Sequence, residues 1–186
     1  MNKFVRTYAF DAPLQRAENI LNHPGIDKML LRSNLTRGGF KIFPEEIRIP
    51  TTSVEIEVGK FSTKKILLSK VADAIEYFDM PDVVVKRLPE AILTSANFPS
   101  HRSVLKIGSQ QSLKDFERWL HDSPNLRFPA LINCNLLTSR SIVDSLVTYS
   151  VPVFADQVQE IEHALELKSW GVSEIVSSHI TVLNAI

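Results

Sequence analysis

Two glutamates, Glu55 and Glu57, sit two residues apart in a run that reads as a β-strand, with Val54, Ile56 and Val58 on the opposite face. Such a pair could do general acid and base work or hold a divalent cation, which prefers carboxylate oxygens. It could equally be a solvated or ion-paired strand face, and inward-facing carboxylates would need partners, for which Lys86 and Lys106 are candidates. Other polar residues follow apolar runs in the same way: Asp11; Arg32, Ser33 and Asn34; Lys86 and Arg87; Asn133, Cys134 and Asn135; Asp156 and Gln157; and Ser177, Ser178 and His179. Asp156 and Gln157 could touch a ligand or cap the next helix. Asn133 and Asn135 could be site amides or loop turns. His179 could move a proton or be an ordinary surface imidazole. Cys134 reads as a small buried hydrophobe. Arg37-Gly38-Gly39 reads as a turn.

The elements that must position these residues alternate. Strands are expected at 4–10, 28–31, 53–58, 82–85, 92–94, 103–107, 129–132, 151–155 and 173–177, several rich in β-branched residues. Between them lie helical periods. Leu14, Ala17, Ile20 and Leu21 share one face; Leu67, Val71, Ala74, Ile75 and Phe78 another; then Leu113, Phe116, Trp119 and Leu120; then Ile142, Val143, Leu146 and Val147; then Val158, Ile161, Ala164 and Leu165. Ser112 with Asp115 is a candidate capping box, Thr138 a candidate N-cap, and Gly171 a natural helix stop. Strand and helix in alternation mean a parallel sheet with right-handed crossovers. About eight strands point to a closed (β/α)₈ barrel. At 186 residues the chain falls below the ~200 at which such barrels begin. The expectation is therefore a compact, trimmed TIM-like barrel, with a helix irregular or missing around residues 32–50, in one domain spanning 1–186.

In such a barrel chemistry gathers where strands end, and the last two strand ends commonly cradle a phosphate. Here those ends are Asp156-Gln157 and Ser177-Ser178-His179. The second suits an anion. The first lacks glycine, and Asp156 would repel a phosphate unless paired. The expected ligand set is Ser177, Ser178, Asp156, Gln157, Lys106 and Lys86, with Glu55, Glu57, Asn133, Asn135 and His179 also at the mouth.

Composition narrows the classes. The chain has 21 basic and 21 acidic residues, so no global excess of positive charge recommends nucleic acid. A local basic patch remains open, with Arg87, Arg102 and Arg127 as candidates beside the two lysines. One cysteine permits no internal disulfide and no metal cluster, which fits a reducing compartment and a cytoplasmic protein. No apolar run approaches the ~18 residues of a membrane helix, so no membrane partner is expected. Dinucleotide, P-loop, zincin and serine-hydrolase motifs are absent, leaving no complete catalytic constellation, no metal site and no cofactor beyond a phosphate ligand. A homo-oligomer is compatible with all of this.

Several segments in order resemble the glycerol-3-phosphate-responsive antiterminator family. Ile107-Gly108-Ser109 before the Leu113-Phe116 helix is similar to that family's "IDS…LE" segment, and Pro129-Ala130-Leu131-Ile132 to its next strand. Val151-Pro152-Val153-Phe154-Ala155 is similar to "IPIIAGG", and Glu162 through Ser178 to the "ALxAGAxAVSTS" end. Val54-Glu55-Ile56-Glu57 stands in place of "VHID", and Pro81 through Lys86 in place of "PDGIISTK". The departures fall on the polar positions: Asp156-Gln157 replaces the glycine pair, Glu55 and Glu57 replace His and Asp, and Val85-Lys86-Arg87 replaces "STK". The resemblance implies a barrel that senses glycerol 3-phosphate and binds leader mRNA to prevent transcription termination. Two alternatives stand beside it. One is a glycerophosphodiester-phosphodiesterase-like enzyme, with Glu55 and Glu57 on a cation and His179 moving a proton. The other is a degenerate barrel serving as an interaction module.

Overall fold

The computed structural model describes residues 4–10, 20, 23–32, 51–56, 63–78, 81–123 and 126–186. Asp11, Ser33, Asn34, the Arg37-Gly38-Gly39 turn, Glu57, Val58, most of the Leu14–Leu21 helical period and nearly all of the 32–50 crossover lie outside them.

Eight parallel strands close in sequence order: β1 (Val5–Phe10), β2 (Lys28–Leu31), β3 (Thr51–Glu55), β4 (Asp82–Val85), β5 (Ser103–Ile107), β6 (Ala130–Asn133), β7 (Val153–Asp156) and β8 (Glu174–Ser177). β8 pairs back onto β1, Val5 opposite Glu174. Six helices follow strands among the described residues: α1 (Lys64–Tyr77), α2 (Leu88–Asn97), α3 (Gln110–Asp122), α4 (Arg140–Thr148), α5 (Ile161–Ser169) and α6 (Ile180–Asn184). The expected TIM-like barrel is the fold observed.

The expected strand at 92–94 is not there; those residues lie inside α2. Pro89 stands in its first turn, and Glu90 reaches back to accept from the Arg87 N–H at 3.1 Å. A proline and an acidic cap open a helix, and a three-residue run with two β-branched members is too short to oppose them. Ala91 and Thr94 then share the buried face, and the Thr94 hydroxyl donates to the Glu90 carbonyl at 2.8 Å. Caps shift elsewhere too. α3 starts from Ser109, whose Oγ accepts from the Ser112 N–H, instead of from Ser112 with Asp115. α4 starts from Ser139, not Thr138. α5 starts at Ile161, because the Val158 N–H is bonded to the Val176 carbonyl. Gly171 ends that last turn at φ +96°, as a C′ glycine should.

Alternation along the strands sorts the side chains into two apolar bodies. Inside the barrel lie Ala9, Leu30, Val84, Val104, Leu131, Phe154 and Val176, one each from seven strands. Their neighbours Phe10, Leu31, Val83, Val85, Leu105, Ile132, Ala155 and Ile175 pack under the helices. β3 supplies polar side chains instead: Ser53 and Glu55 share the inward parity, while Val54 joins the outer core.

Below the inner apolar layer, at the N-terminal end of the strands, sits a buried charge cluster. Lys28 is 3% exposed. Its ammonium bonds Asp82 and lies 3.2 Å from Glu174 Oε2. The Thr7 hydroxyl donates to Glu174 Oε1 at 2.7 Å, and Arg102 Nε to Asp82 Oδ1 at 2.8 Å. The Phe154 ring faces both cations, 5.6 Å from Lys28 Nζ and 5.3 Å from the Arg102 guanidinium. Burial by itself pushes the Asp82 carboxyl up in pKa. The hydrogen bond from Arg102 and the charges of Lys28 and Arg102 overcome it, holding Asp82 below its ordinary value.

Candidate functional site

The parity that puts Leu30 and Val84 inside the barrel also aims the residues two positions on toward its C-terminal mouth. Arg32 follows β2, Glu55 ends β3, Lys86 follows β4, Lys106 lies near the end of β5 and Asp156 ends β7. These meet. Lys106 Nζ is 2.8 Å from Glu55 Oε2 and 3.4 Å from Asp156 Oδ2. Arg32 reaches the same two carboxylates, Nη2 at 3.0 Å from Asp156 Oδ1 and Nε at 3.8 Å from Glu55 Oε2. Lys86 Nζ approaches the other oxygen of Glu55 at 3.9 Å. Glu55 and Asp156 are buried, at 4% and 1% exposure, and Lys86 stands at the solvent edge. So the two lysines expected as partners of Glu55 are its partners, and Asp156 is paired.

Asp156 is held hard. Its Oδ1 accepts from Arg32 and from the Gln157 N–H at 2.9 Å. Its Oδ2 is buried and accepts no hydrogen bond among the described residues, with Lys106 as the cation beside it. Gln157 has φ +63°, in the left-handed region that glycine usually fills. Three contacts hold it there. Its Oε1 accepts from Asn133 Nδ2 at 3.0 Å, its N–H donates to Asp156, and its carbonyl accepts from the Cys134 thiol at 3.4 Å. The loop keeps a glycine-type bend without a glycine. Burial, reinforced by the charge of Asp156, raises the Cys134 thiol in pKa.

The remaining candidates divide. Asn133 shares the rim with Gln157, and its Oδ1 accepts from the Asn135 N–H at 3.0 Å. Asn135 is exposed in the short turn Cys134–Leu136. Ser177 turns the other way from Val176: it is fully buried, and its Oγ accepts from the His179 N–H at 3.0 Å, fixing the turn into α6. That hydroxyl serves the turn and is not among the groups that meet Asp156. Ser178 and His179 are exposed just past the end of β8. Arg87 pairs with Glu90. Arg102 and Arg127 precede β5 and β6, so they lie at the opposite end of the barrel from Arg87. Arg102 belongs to the Asp82 cluster, and Arg127 donates to the Leu126 and Tyr149 carbonyls, each at 2.9 Å. The three arginines do not form one surface.

Sequence reading passed over Arg32 as a ligand-set residue, although it stands at a strand end like the others. It also passed over Lys28 and Glu174, whose charges at strand starts look like loop edges.

As to cations, no group of three His, Cys, Asp or Glu side chains among the described residues is arranged to hold a metal ion. Glu57, the second carboxylate of the expected pair, lies outside them. No described helix is long and apolar enough to cross a membrane.

No family model matches the sequence, and no curated protein matches it. Solved structures do. A glycerophosphodiester phosphodiesterase from Parabacteroides distasonis superposes with a TM-score of 0.60 at 10% identity, over 98% of this chain and 96% of that one. A protein assigned as a glycerophosphoryl diester phosphodiesterase, from Silicibacter pomeroyi, gives 0.59 at 11% identity over 73% of this chain. The match spans about half, 49%, of that second protein. At these identities the likeness defines the class of fold, a TIM-type (β/α)₈ barrel, and nothing finer.

Proposed function

We propose that this chain is a phosphoester-binding barrel of the glycerophosphodiester phosphodiesterase kind, taking the phosphate of a small glycerol-containing ester at its C-terminal mouth. The observation that carries the reading is the convergence of Arg32, Lys86 and Lys106 on two buried carboxylates at that mouth. A guanidinium and two ammonium groups fixed in place stabilise the charge on phosphoryl oxygens, more so in a site screened from water. The barrel's likeness along nearly its whole length to a glycerophosphodiester phosphodiesterase supports the same substrate class. The test is to incubate the full chain with glycerophosphocholine, with and without Mg²⁺, and follow the release of glycerol 3-phosphate. Release that is lost in R32M and K106M supports the reading. A chain that neither cleaves nor binds the diester overturns it.

One observation favours a second reading, a receptor resembling the glycerol-3-phosphate-responsive antiterminators. Glu55 and Asp156 are occupied by ion pairs, as suits a ligand-binding pocket that does no chemistry. This reading predicts binding of glycerol 3-phosphate without turnover, together with salt-sensitive binding of the leader transcript of its own operon. Salt-insensitive or absent transcript binding would remove the RNA half.

A further inference from the structure

A cleft with two buried carboxylates from different strands is where a divalent cation would ordinarily bridge. Here that place is taken. The Lys106 ammonium lies 2.8 Å from Glu55 Oε2 and 3.4 Å from Asp156 Oδ2, and its side chain is 16% exposed. Asp156 Oδ2 is buried with no hydrogen bond among the described residues, so the Lys106 charge is what compensates it there. Arg32 spans the same two carboxylates. A divalent ion placed between Glu55 and Asp156 would stand against an ammonium and a guanidinium at contact distance, which Coulomb repulsion in a partly buried site opposes strongly.

We infer that Lys106 is a built-in cation of this mouth: it fills the bridging position between Glu55 and Asp156, so the site binds its phosphate ligand directly and without a divalent metal. Lys106 thereby sets what the mouth accepts. With it, Arg32 and Lys86 complement an anion; without it, Glu55 and Asp156 become a hard-oxygen pair open to a small divalent cation, with water completing the coordination. The part of this inference that concerns phosphate rests on the phosphoester-binding reading. The part that concerns metal exclusion does not.

The experiment is a pair of calorimetric titrations on the full chain, with inorganic phosphate and with Mn²⁺ as separate probes. Wild-type protein is expected to bind phosphate equally well in EDTA and in Mn²⁺, and to show no Mn²⁺ binding at micromolar metal. K106A is expected to bind phosphate at least tenfold more weakly and Mn²⁺ at least tenfold more tightly than wild type. K106M, which keeps the length of the side chain without its charge, should lose phosphate binding in the same way while its bulk still obstructs the metal. Its thermal melt shows whether the fold is intact. Micromolar Mn²⁺ binding by wild type, or phosphate binding that requires Mn²⁺, overturns the inference, as does a folded K106A that gains no metal affinity. If wild type binds no phosphate under any condition, the phosphoester reading fails, while the Mn²⁺ comparison still decides metal exclusion.

Discussion

Asn133 at the end of β6 donates its side-chain amide to the side-chain carbonyl of Gln157, just past the end of β7, across 3.0 Å. That bond spans neighbouring strands that pair Asn133 with Asp156. It helps hold Gln157 at φ +63°, in a conformation that is unfavourable for most side chains.

The bend at Gln157 yields a prediction in two parts. Q157G should leave stability within about 1 kcal/mol of wild type, since relief of strain offsets the lost side-chain bond and the looser unfolded chain. Q157V should cost about 2 kcal/mol, because a β-branched residue tolerates positive φ poorly. Urea unfolding of both variants checks this. Equal stability of the two would mean that the backbone there is not constrained.

Arg32 should matter for geometry as well as charge. R32M is expected to weaken phosphate binding about tenfold, roughly 1.4 kcal/mol. R32K should recover little of it. The guanidinium meets Asp156 through Nη2 and Glu55 through Nε, two nitrogens fixed in one plane, whereas a lysine at this position brings one point charge on a flexible stem. Calorimetric titration of the two variants decides. Full recovery in R32K would reduce Arg32 to a point charge.

At the other end of the barrel, K28M should lose about 3 kcal/mol, the low end of what breaking a buried ion pair costs. Glu174 loses its ion-pair partner, while Asp82 keeps Arg102. Phosphate affinity of the folded fraction should stay within about twofold, since Lys28 sits below the apolar layer and the mouth above it. A large loss of affinity would tie the two ends together.

Acid should weaken the buried cluster around Asp82. Asp82 is held below its ordinary carboxyl value of 3.8. A carboxyl depressed in the folded state contributes stability that is fully present above its unfolded value and is lost as pH falls through the folded one. Stability should therefore decline from about pH 5 downward. In D82N that decline should be shallower, from a lower starting stability. Denaturant melts across this range provide the check; parallel curves for the two proteins would remove Asp82 from the account.

The barrel itself was legible because its strands are short apolar runs separated by helical periods. The expected bounds at 28–31, 82–85 and 103–107 match β2, β4 and β5. Local pattern misread Ile92-Leu93-Thr94, where proline and capping outweigh β-branching. Period-two alternation placed Glu55 opposite Val54 and Ile56, and its partners Lys86, just after β4, and Lys106, on β5, followed from the need to compensate a buried carboxylate. Which strand end meets which across the mouth is another matter. Arg32 and Asp156 are 124 residues apart in the chain, and their contact depends on closure and register, which no local pattern encodes. The floor was hidden for the same reason: Lys28, Asp82 and Glu174 each open a strand, and a charge in that position looks like the end of a loop.

The seven-residue apolar layer of Ala9, Leu30, Val84, Val104, Leu131, Phe154 and Val176 separates two charged groups of side chains. In a medium of low permittivity a net charge is felt far away, whereas a neutral cluster behaves as a multipole whose field dies quickly. Lys28 and Arg102 offset Asp82 and Glu174 on one side, whereas on the other Arg32, Lys106 and the solvent-edge Lys86 face Glu55 and Asp156. Local neutrality on the N-terminal side of this dielectric septum keeps the field of the buried cluster from reaching the mouth. It also means that a substitution changing the charge of the buried cluster would project an uncompensated field along the barrel axis.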